Sequence, residues 1–227
     1  MPNKPIQIAY FSDVLCVWAY IAQIRLEELK NKFGDKINIT PYHVTLFGDT
    51  AKRVGQGWKE KGGYDGFNKH VLHVCKDFPH LEVSPDVWTK CRPKSSGIAH
   101  LFLKAVQLAT QNRGSEDNHE LKIMEWEIRL AFFRDARDIS DMNVLKEIAQ
   151  EYKISQDSID THLNDGSAMA LFCSELAMCD DYKLDGSPTY VLNDNRQKLF
   201  GNVGYKIMEA NVNELLSESG EKQASWC

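Results

Sequence analysis

The stretch Ile6-Gln7-Ile8-Ala9-Tyr10-Phe11-Ser12-Asp13-Val14-Leu15-Cys16-Val17-Trp18-Ala19-Tyr20 decides how the rest of the chain is read. Ile6, Ile8 and Tyr10 alternate and then run into an apolar segment, the pattern of a buried strand. From Trp18 onward, Ile21, Ile24, Leu26 and Leu29 recur at helical spacing. Cys16 therefore falls where a strand hands over to a helix. A thiol there lies beside free backbone N–H groups and the positive end of the helix dipole, which favour thiolate over thiol. Three residues on, where a dithiol redox enzyme carries its second cysteine, the chain has Ala19.

Outward from that junction, the first helix is expected to end at Phe33-Gly34-Asp35, with glycine as C-cap. A second strand follows over Ile37 to Leu46, and strand, helix and strand this close together form a right-handed βαβ unit. From Thr50 to about Ser167 the sequence offers no convincing strand. It predicts helices over Asp65 to Lys76, Ser96 to Thr110, Glu116 to Arg137, Met142 to Tyr152 and Ser155 to Leu163. Asp141 and Ser155 are N-cap candidates, and Gln111 to Asn118 reads as a loop. A helix over Ser167 to Asp181 leads to strands Pro188 to Leu192 and Gln197 to Phe200. Asn193-Asp194-Asn195-Arg196 joins these strands as a hairpin, and a last helix covers Tyr205 to Leu216. Without the helical block the order is βαβ, α, ββα. That is an α/β, thioredoxin-like layout with a four-stranded mixed sheet, formed by residues 1–49 and 167–227 and carrying an all-helical insertion domain over 50–166. The tail from Ser217 to Ala224 is polar and reads as loose.

The 227 residues are 43% hydrophobic and 26% charged, with a formal net charge of −5 and acidic and basic residues mixed along the chain. That balance fits a globular protein and argues against a basic face for nucleic acid or a polybasic membrane anchor. No apolar run approaches the ~18 residues that span a bilayer. Met1-Pro2-Asn3-Lys4-Pro5 leads straight into the first strand, so a cytoplasmic location is expected. Six scattered cysteines do not make a disulfide framework. Most are expected to be reduced and buried, Cys75 on a helix and Cys173 and Cys179 in the core.

The segment Ser12-Asp13-Val14-Leu15-Cys16-Val17-Trp18-Ala19-Tyr20 resembles the D-x-x-C-P-W-C-Y pattern of FrnE-type oxidoreductases, in the DsbA-like branch of the thioredoxin superfamily. It is also similar to the D-x-x-S-P-x-S-Y/W pattern of 2-hydroxychromene-2-carboxylate isomerases and kappa-class glutathione transferases, with cysteine in place of the active serine. Ser95-Ser96-Gly97-Ile98-Ala99-His100 resembles the N-T-x-x-A-H segment that opens a helix in FrnE-like proteins. Gly186-Ser187-Pro188-Thr189 looks like the superfamily's cis-proline loop, and Phe200-Gly201-Asn202-Val203 stands where the kappa branch has F-G-S-D and binds glutathione. The likeness covers almost the whole chain. Val17, Ala19 and Asn202-Val203 depart from it, which bears against ordinary dithiol oxidase activity and weakens the glutathione-site match.

The resemblance implies Cys16 as nucleophile, Trp18 as a wall of the site, Ser187 and cis-Pro188 as a cradle for an extended substrate backbone, and Asn202 as a contact to one end of glutathione. With Ala19 at the resolving position, a mixed disulfide on Cys16 needs a second thiol, from glutathione or from a remote cysteine. Cys227, in Ala224-Ser225-Trp226-Cys227, is the candidate resolving thiol, against the plain alternative of a free chain end. The reading is a monothiol, glutathione-linked thiol–disulfide oxidoreductase acting on a small thiol or a peptide or protein disulfide. Its alternatives are a kappa-type transferase or isomerase and a non-catalytic thiol- or peptide-binding module. The kappa and isomerase relatives suggest a homodimer. His70, His73, Cys75 and His80 lack the paired spacing of a structural zinc site, and no metal is expected. Trp58 and Tyr64, in a glycine-rich stretch, read either as a lid or as a surface loop.

Overall fold

The computed structural model describes residues 4–111 and 119–217. Four strands, β1 (Ile6–Ser12), β2 (Ile37–His43), β3 (Thr189–Leu192) and β4 (Gln197–Phe200), form one sheet in the order β2-β1-β3-β4. β1 pairs in parallel with β2, Ile6 opposite Ile37 and Ser12 opposite His43. It pairs antiparallel with β3, Tyr10 opposite Tyr190, and β3 pairs antiparallel with β4. The helices are α1 (Val17–Phe33), α2 (Gly63–Cys75), α3 (Gly97–Thr110), α4 (His119–Phe133), α5 (Met142–Glu151), α6 (Gln156–Asn164), α7 (Ser167–Asp181) and α8 (Tyr205–Leu216). This is the thioredoxin-like fold with a helical block between β2 and α7.

Local chemistry sets the element ends. The Asp141 carboxylate accepts the Asn143 N–H at 2.9 Å and the Ser155 hydroxyl accepts the Ser158 N–H at 3.3 Å, so both cap their helices as the sequence predicts. Gly34, at φ 54°, closes α1 and returns its N–H to the Lys30 carbonyl. In the β3–β4 hairpin, Asn193, Asp194 and Asn195 all take positive φ, which short polar side chains tolerate better than branched ones. Most ends fall within a residue or two of expectation; the second strand stops at His43 rather than Leu46, and two further differences have a visible cause. The fourth helix stops at Phe133 rather than Arg137, because Ala136 turns left-handed (φ 50°) and the Arg137 N–H reaches back to the Ala131 carbonyl. The glycine-rich stretch is not an open loop: Ala51–Gln56 forms a π-helical turn and Lys59–Lys61 a 3-10 turn, with Trp58 packed on Phe67 and His70.

The sheet is covered on both faces. Ile8 and Tyr10 of β1, with Tyr190 and Leu192 of β3, face Leu26, Leu29 and Phe33 of α1 and Met208 and Val212 of α8. Phe11, Val44 and Val191 face Met178, Cys179 and Tyr182 around α7. The largest cluster belongs to the helical block, around Trp88, Phe102, Phe132 and Ile128, and it takes in Val14, Leu15, Cys16 and Tyr20 from the strand–helix junction. Tyr20 is stacked between Trp126 and Phe133, with ring centroids 5.2 and 4.6 Å away, and donates its hydroxyl to the Glu82 carbonyl at 3.0 Å. The start of α1 is thus fixed by the insertion as much as by the sheet. Cys75 and Cys91 are buried as expected, whereas Cys173 is exposed and Cys179 only half-buried. These two lie on a helix whose fully buried stripe is Ala168, Phe172 and Glu175, so both positions fall beside it rather than on it.

Candidate functional site

Cys16 is the N-cap residue of α1, in extended backbone (φ −81°, ψ 114°), and it has only 3% of its surface exposed. Its thiol lies 3.3 Å from the carbonyl oxygen of Ser187, to which it donates. The Ser187–Pro188 peptide bond is cis, and β3 starts at the next residue. The Ser187 hydroxyl accepts the Asp13 N–H at 2.9 Å. The loop before the third strand is therefore bound from both sides of Ser187 to the segment leading into α1. Ala19 is fully buried one turn along the helix, and its N–H donates to the Cys16 carbonyl.

Asp13 organises the junction. One carboxylate oxygen accepts the Leu15 N–H at 2.9 Å; the other accepts the Phe47 N–H at 2.8 Å and the Ser96 hydroxyl at 2.7 Å. One side chain so ties β1, the loop after β2 and the start of α3 together. Burial pushes the Asp13 carboxyl up to about 6, although these hydrogen bonds pull the other way. The His100 ring, fully buried, accepts the Val14 N–H at 3.2 Å.

The electrostatics correct one sequence expectation. The Ser187 side chain and the backbone N–H groups of Ala19 and Trp18 do favour thiolate, as the helix start predicts. Burial outweighs them, Asp13 adds like charge, and the Cys16 thiol is pushed up rather than down. In this closed arrangement sulfur is held as thiol.

Of the residues singled out in the sequence, the structure brings Cys16, Ser187 and Pro188 together. Trp18 is half-buried in the first turn of α1 and packs on the helical core. Asn202 sits just beyond β4, next to the proline loop through the Gly201 N–H, which donates to the Pro188 carbonyl at 2.8 Å. Its side-chain oxygen is taken by Arg25 of α1. Cys227 lies outside the described residues. Among the described residues, no group of three His, Cys, Asp or Glu side chains is arranged to hold a metal.

Sequence reasoning missed a buried polar cluster behind the cysteine. Ser12, Asp13, His43, His100, Lys104, Glu125, Arg129 and Glu175 are all buried. Arg129 donates from one nitrogen to Glu125 at 2.6 Å and to the Ser12 hydroxyl at 2.7 Å, and Ser12 donates to the same Glu125 oxygen at 3.0 Å. Burial alone would raise the Glu125 carboxyl, but the Arg129 guanidinium, with the Ser12 hydroxyl, holds it below the ordinary carboxylate range. Lys104 pairs with Glu175, whose other oxygen accepts the His43 N–H at 3.0 Å. The His43 and His100 rings lie 4.9 Å apart, and burial drives both well below the usual imidazole value. Both are therefore neutral. A signal existed for Glu125 and Arg129: they share a helix face with Leu121, Ile128 and Phe132, so the apolar stripe of α4 carries two charges.

With this geometry in hand, comparison with known proteins gives the family. Residues 7–213 match the DSBA-like thioredoxin domain, and the chain belongs to that family. A probable DsbA oxidoreductase from Streptomyces coelicolor superposes with a TM-score of 0.70 at 15% identity, over 98% of this chain and 93% of the other. The cytosolic disulfide reductase DsbM from Pseudomonas aeruginosa, in a structure with GSH, gives 0.63 at 18% identity, over 91% and 99%. In sequence, the chain is 21% identical to the ClpXP adapter protein SpxH of Bacillus subtilis, over 96% of this chain and 70% of the adapter.

Proposed function

We propose that this protein is a monothiol thiol–disulfide exchange enzyme that uses glutathione, with Cys16 as its nucleophile. The observation that carries this reading is the Cys16 thiol at the start of α1, 3.3 Å from the Ser187 carbonyl beside cis-Pro188, with alanine where a resolving cysteine would stand. Membership of the DSBA-like family and the likeness to DsbM with GSH support it. The cytosolic description of DsbM also favours a reducing, cytoplasmic setting.

The chemistry balances without a second protein thiol. The Cys16 thiolate attacks one sulfur of a mixed disulfide between glutathione and a substrate thiol. The old S–S bond breaks, a Cys16–glutathione disulfide forms, and the substrate leaves as a thiolate that takes up the proton lost from Cys16. A second glutathione thiolate then attacks the glutathione sulfur, releases oxidised glutathione and returns the Cys16 thiol. The substrate sulfur is reduced and the second glutathione is oxidised, the first having arrived already as half of a disulfide. Because Cys16 is covered, the incoming disulfide must displace its cover. The Ser187 main chain then becomes the edge along which an extended peptide or glutathione backbone lies, with Trp18 beside it and Asn202 at the far end.

The test is intact-mass analysis after exposure to oxidised glutathione. A glutathione adduct mapped to Cys16 by peptide mass is expected on the wild-type protein, absent from Cys16→Ser, undiminished in Cys227→Ala and fully reversed by reduced glutathione, with any adduct on the exposed Cys173 scored separately. A wild-type protein that takes no adduct at Cys16, under denaturant-free conditions where free cysteine does, overturns the reading. That outcome would favour the second reading, a binding module without turnover. The covered, raised thiol of Cys16 and the resemblance to a protein named as an adapter both lend that reading weight.

A further inference from the structure

On the opposite side of β1 from the proline loop, a cleft of about 420 Å³ opens between α1 and α4. It lies within the size range of small-molecule sites. Its apolar wall is Leu26 with Ile39 and Pro41, and Tyr10 and Glu125 of the buried cluster also line it. Tyr10 is only 2% exposed and its hydroxyl has no hydrogen-bond partner, in a protein where most buried polar groups are paired. On the α1 side the rim carries Gln23, Glu27, Lys30 and Asn31; on the α4 side it carries His119 and Lys122. Gln23 and Glu27 are already bonded to each other at 3.0 Å, and no ion pair holds Lys30 among the described residues.

The composition of the lining discriminates between ligand classes. A simple anion would meet the carboxylates of Glu125 and Glu27, and a simple cation would meet the ammonium groups of Lys30 and Lys122. A wholly apolar molecule would leave the Tyr10 hydroxyl dry and unpaired. A molecule with both charges and an apolar body satisfies every part of the lining. We infer that the cleft between α1 and α4 binds a small zwitterion, an amino acid or short peptide with free ends. Its ammonium group sits against Glu125 and the Tyr10 hydroxyl, its carboxylate faces Lys30, and its side chain lies on Leu26, Ile39 and Pro41. The site is separate from the Ser187 cradle and does not need the Cys16 thiol.

The experiment is an amide-resolved NMR titration of the full chain with L-leucine and with leucyl-leucine. Each is compared with its N-acetylated and its C-amidated form. Saturable shifts are expected along α1 from Gln23 to Asn31 and not at Ser187. Blocking either end should weaken affinity at least tenfold, the scale of a lost charge-assisted hydrogen bond. Lys30→Glu, a half-exposed change that the fold tolerates, should do the same to the free dipeptide, as should Tyr10→Phe, which keeps the ring. Cys16→Ser should bind as the wild type does, so failure here is separate from failure of the thiol reading. The inference is overturned if neither probe binds with an affinity of about 1 mM or better. It is equally overturned if binding ignores blocked ends and Lys30→Glu, or if the shifts centre on the Ser187 loop.

Discussion

Removing Arg129 while keeping Glu125 should cost more stability than removing both. Arg129 is 1% exposed and Glu125 4%, and the Ser12 hydroxyl joins their contact at 2.6 Å, bonded to both. Met in place of Arg129 fills much of the volume but leaves a carboxylate buried beside a neutral His43. Breaking a buried pair in this way costs about 3–5 kcal/mol, whereas replacing both charges with neutral groups is often close to neutral. We therefore expect Arg129→Met and Glu125→Gln each to lose about 3–5 kcal/mol, and the double variant to lose less than either, below about 2 kcal/mol. Urea unfolding followed by tryptophan fluorescence reads this directly, since Trp126 lies on the same helix. With a slope of about 2–3 kcal/mol/M for a chain of this size, each single variant should unfold roughly 1–2 M earlier at unchanged slope. A double variant whose loss equals the sum of the singles would refute the reasoning, because the two charges would then be independently solvated.

The Cys16 thiol should titrate above the ordinary ~8.5 when iodoacetamide alkylation is followed against pH, because burial and Asp13 oppose its ionisation; Asp13→Asn should move that midpoint down, and an unchanged midpoint would remove Asp13 from the account. Asp13 also has a signature in stability. Its folded value of about 6 lies above the ordinary ~3.9, so its contribution is full below pH ~4 and is lost as pH rises through 6, by about 3 kcal/mol. Stability of Asp13→Asn relative to wild type should improve by that amount between pH 4 and 7 in paired urea titrations; a flat difference would count against the buried titration. His43 and His100 act in the opposite sense. Held neutral, they contribute stability above pH ~6.5 that falls away on acidification, so replacing His43 with Gln should flatten the acid limb of the same titration. Ala19→Cys should restore a dithiol: after oxidised glutathione the variant should show an intramolecular disulfide and no adduct. The extra sulfur enters a fully buried site, so a loss of about 1–3 kcal/mol should accompany it.

Much of the fold was legible because its signals are local. The helices over 167–181 and 205–216 and the strand over 197–200 have the ends the sequence predicts, and the Asp141 and Ser155 caps depend on side chains adjacent to the helices they start. The end of the fourth helix was not legible. No residue between Phe133 and Arg137 is a breaker by type, and the left-handed turn at Ala136 answers to tertiary packing rather than propensity. At the candidate site, the placement of Cys16 was legible because a strand–helix junction shows itself in one short segment, and the Ser187-Pro188 loop because proline marks it. The direction of the thiol's ionisation was missed because it depends on how deeply the helical insertion buries the junction, and sequence reports neighbours along the chain rather than depth. Asp13, Ser96 and His100 stand in the motifs that carry the resemblance, yet their partnership spans separations of 83 and 87 residues along the chain.

For the proposed thiol chemistry the buried carboxylate of Asp13 looks like a handicap, since it adds negative charge near the sulfur that this proposal requires to ionise. Its hydrogen bonds give it a different function. With Leu15, Phe47 and Ser96 all donating to it, it fixes the last turn of chain before α1 against both the insertion and the sheet. The Asp13 N–H does the same for the Ser187 loop. The thiol and its opposing carbonyl are thereby held at contact distance by one residue's main chain and side chain together. The cost falls on the ionisation of Cys16, and a bound substrate can lift part of it. When a disulfide takes the place of the Ser187 carbonyl as the thiol's neighbour, the S–H loses its acceptor, while the N–H groups of Trp18 and Ala19 and the Ser187 hydroxyl remain to stabilise a thiolate. On the proposed reading, a site closed in this way would keep its sulfur protonated when empty and ionise it once occupied, which suits a cysteine with Ala19 where a resolving thiol would stand.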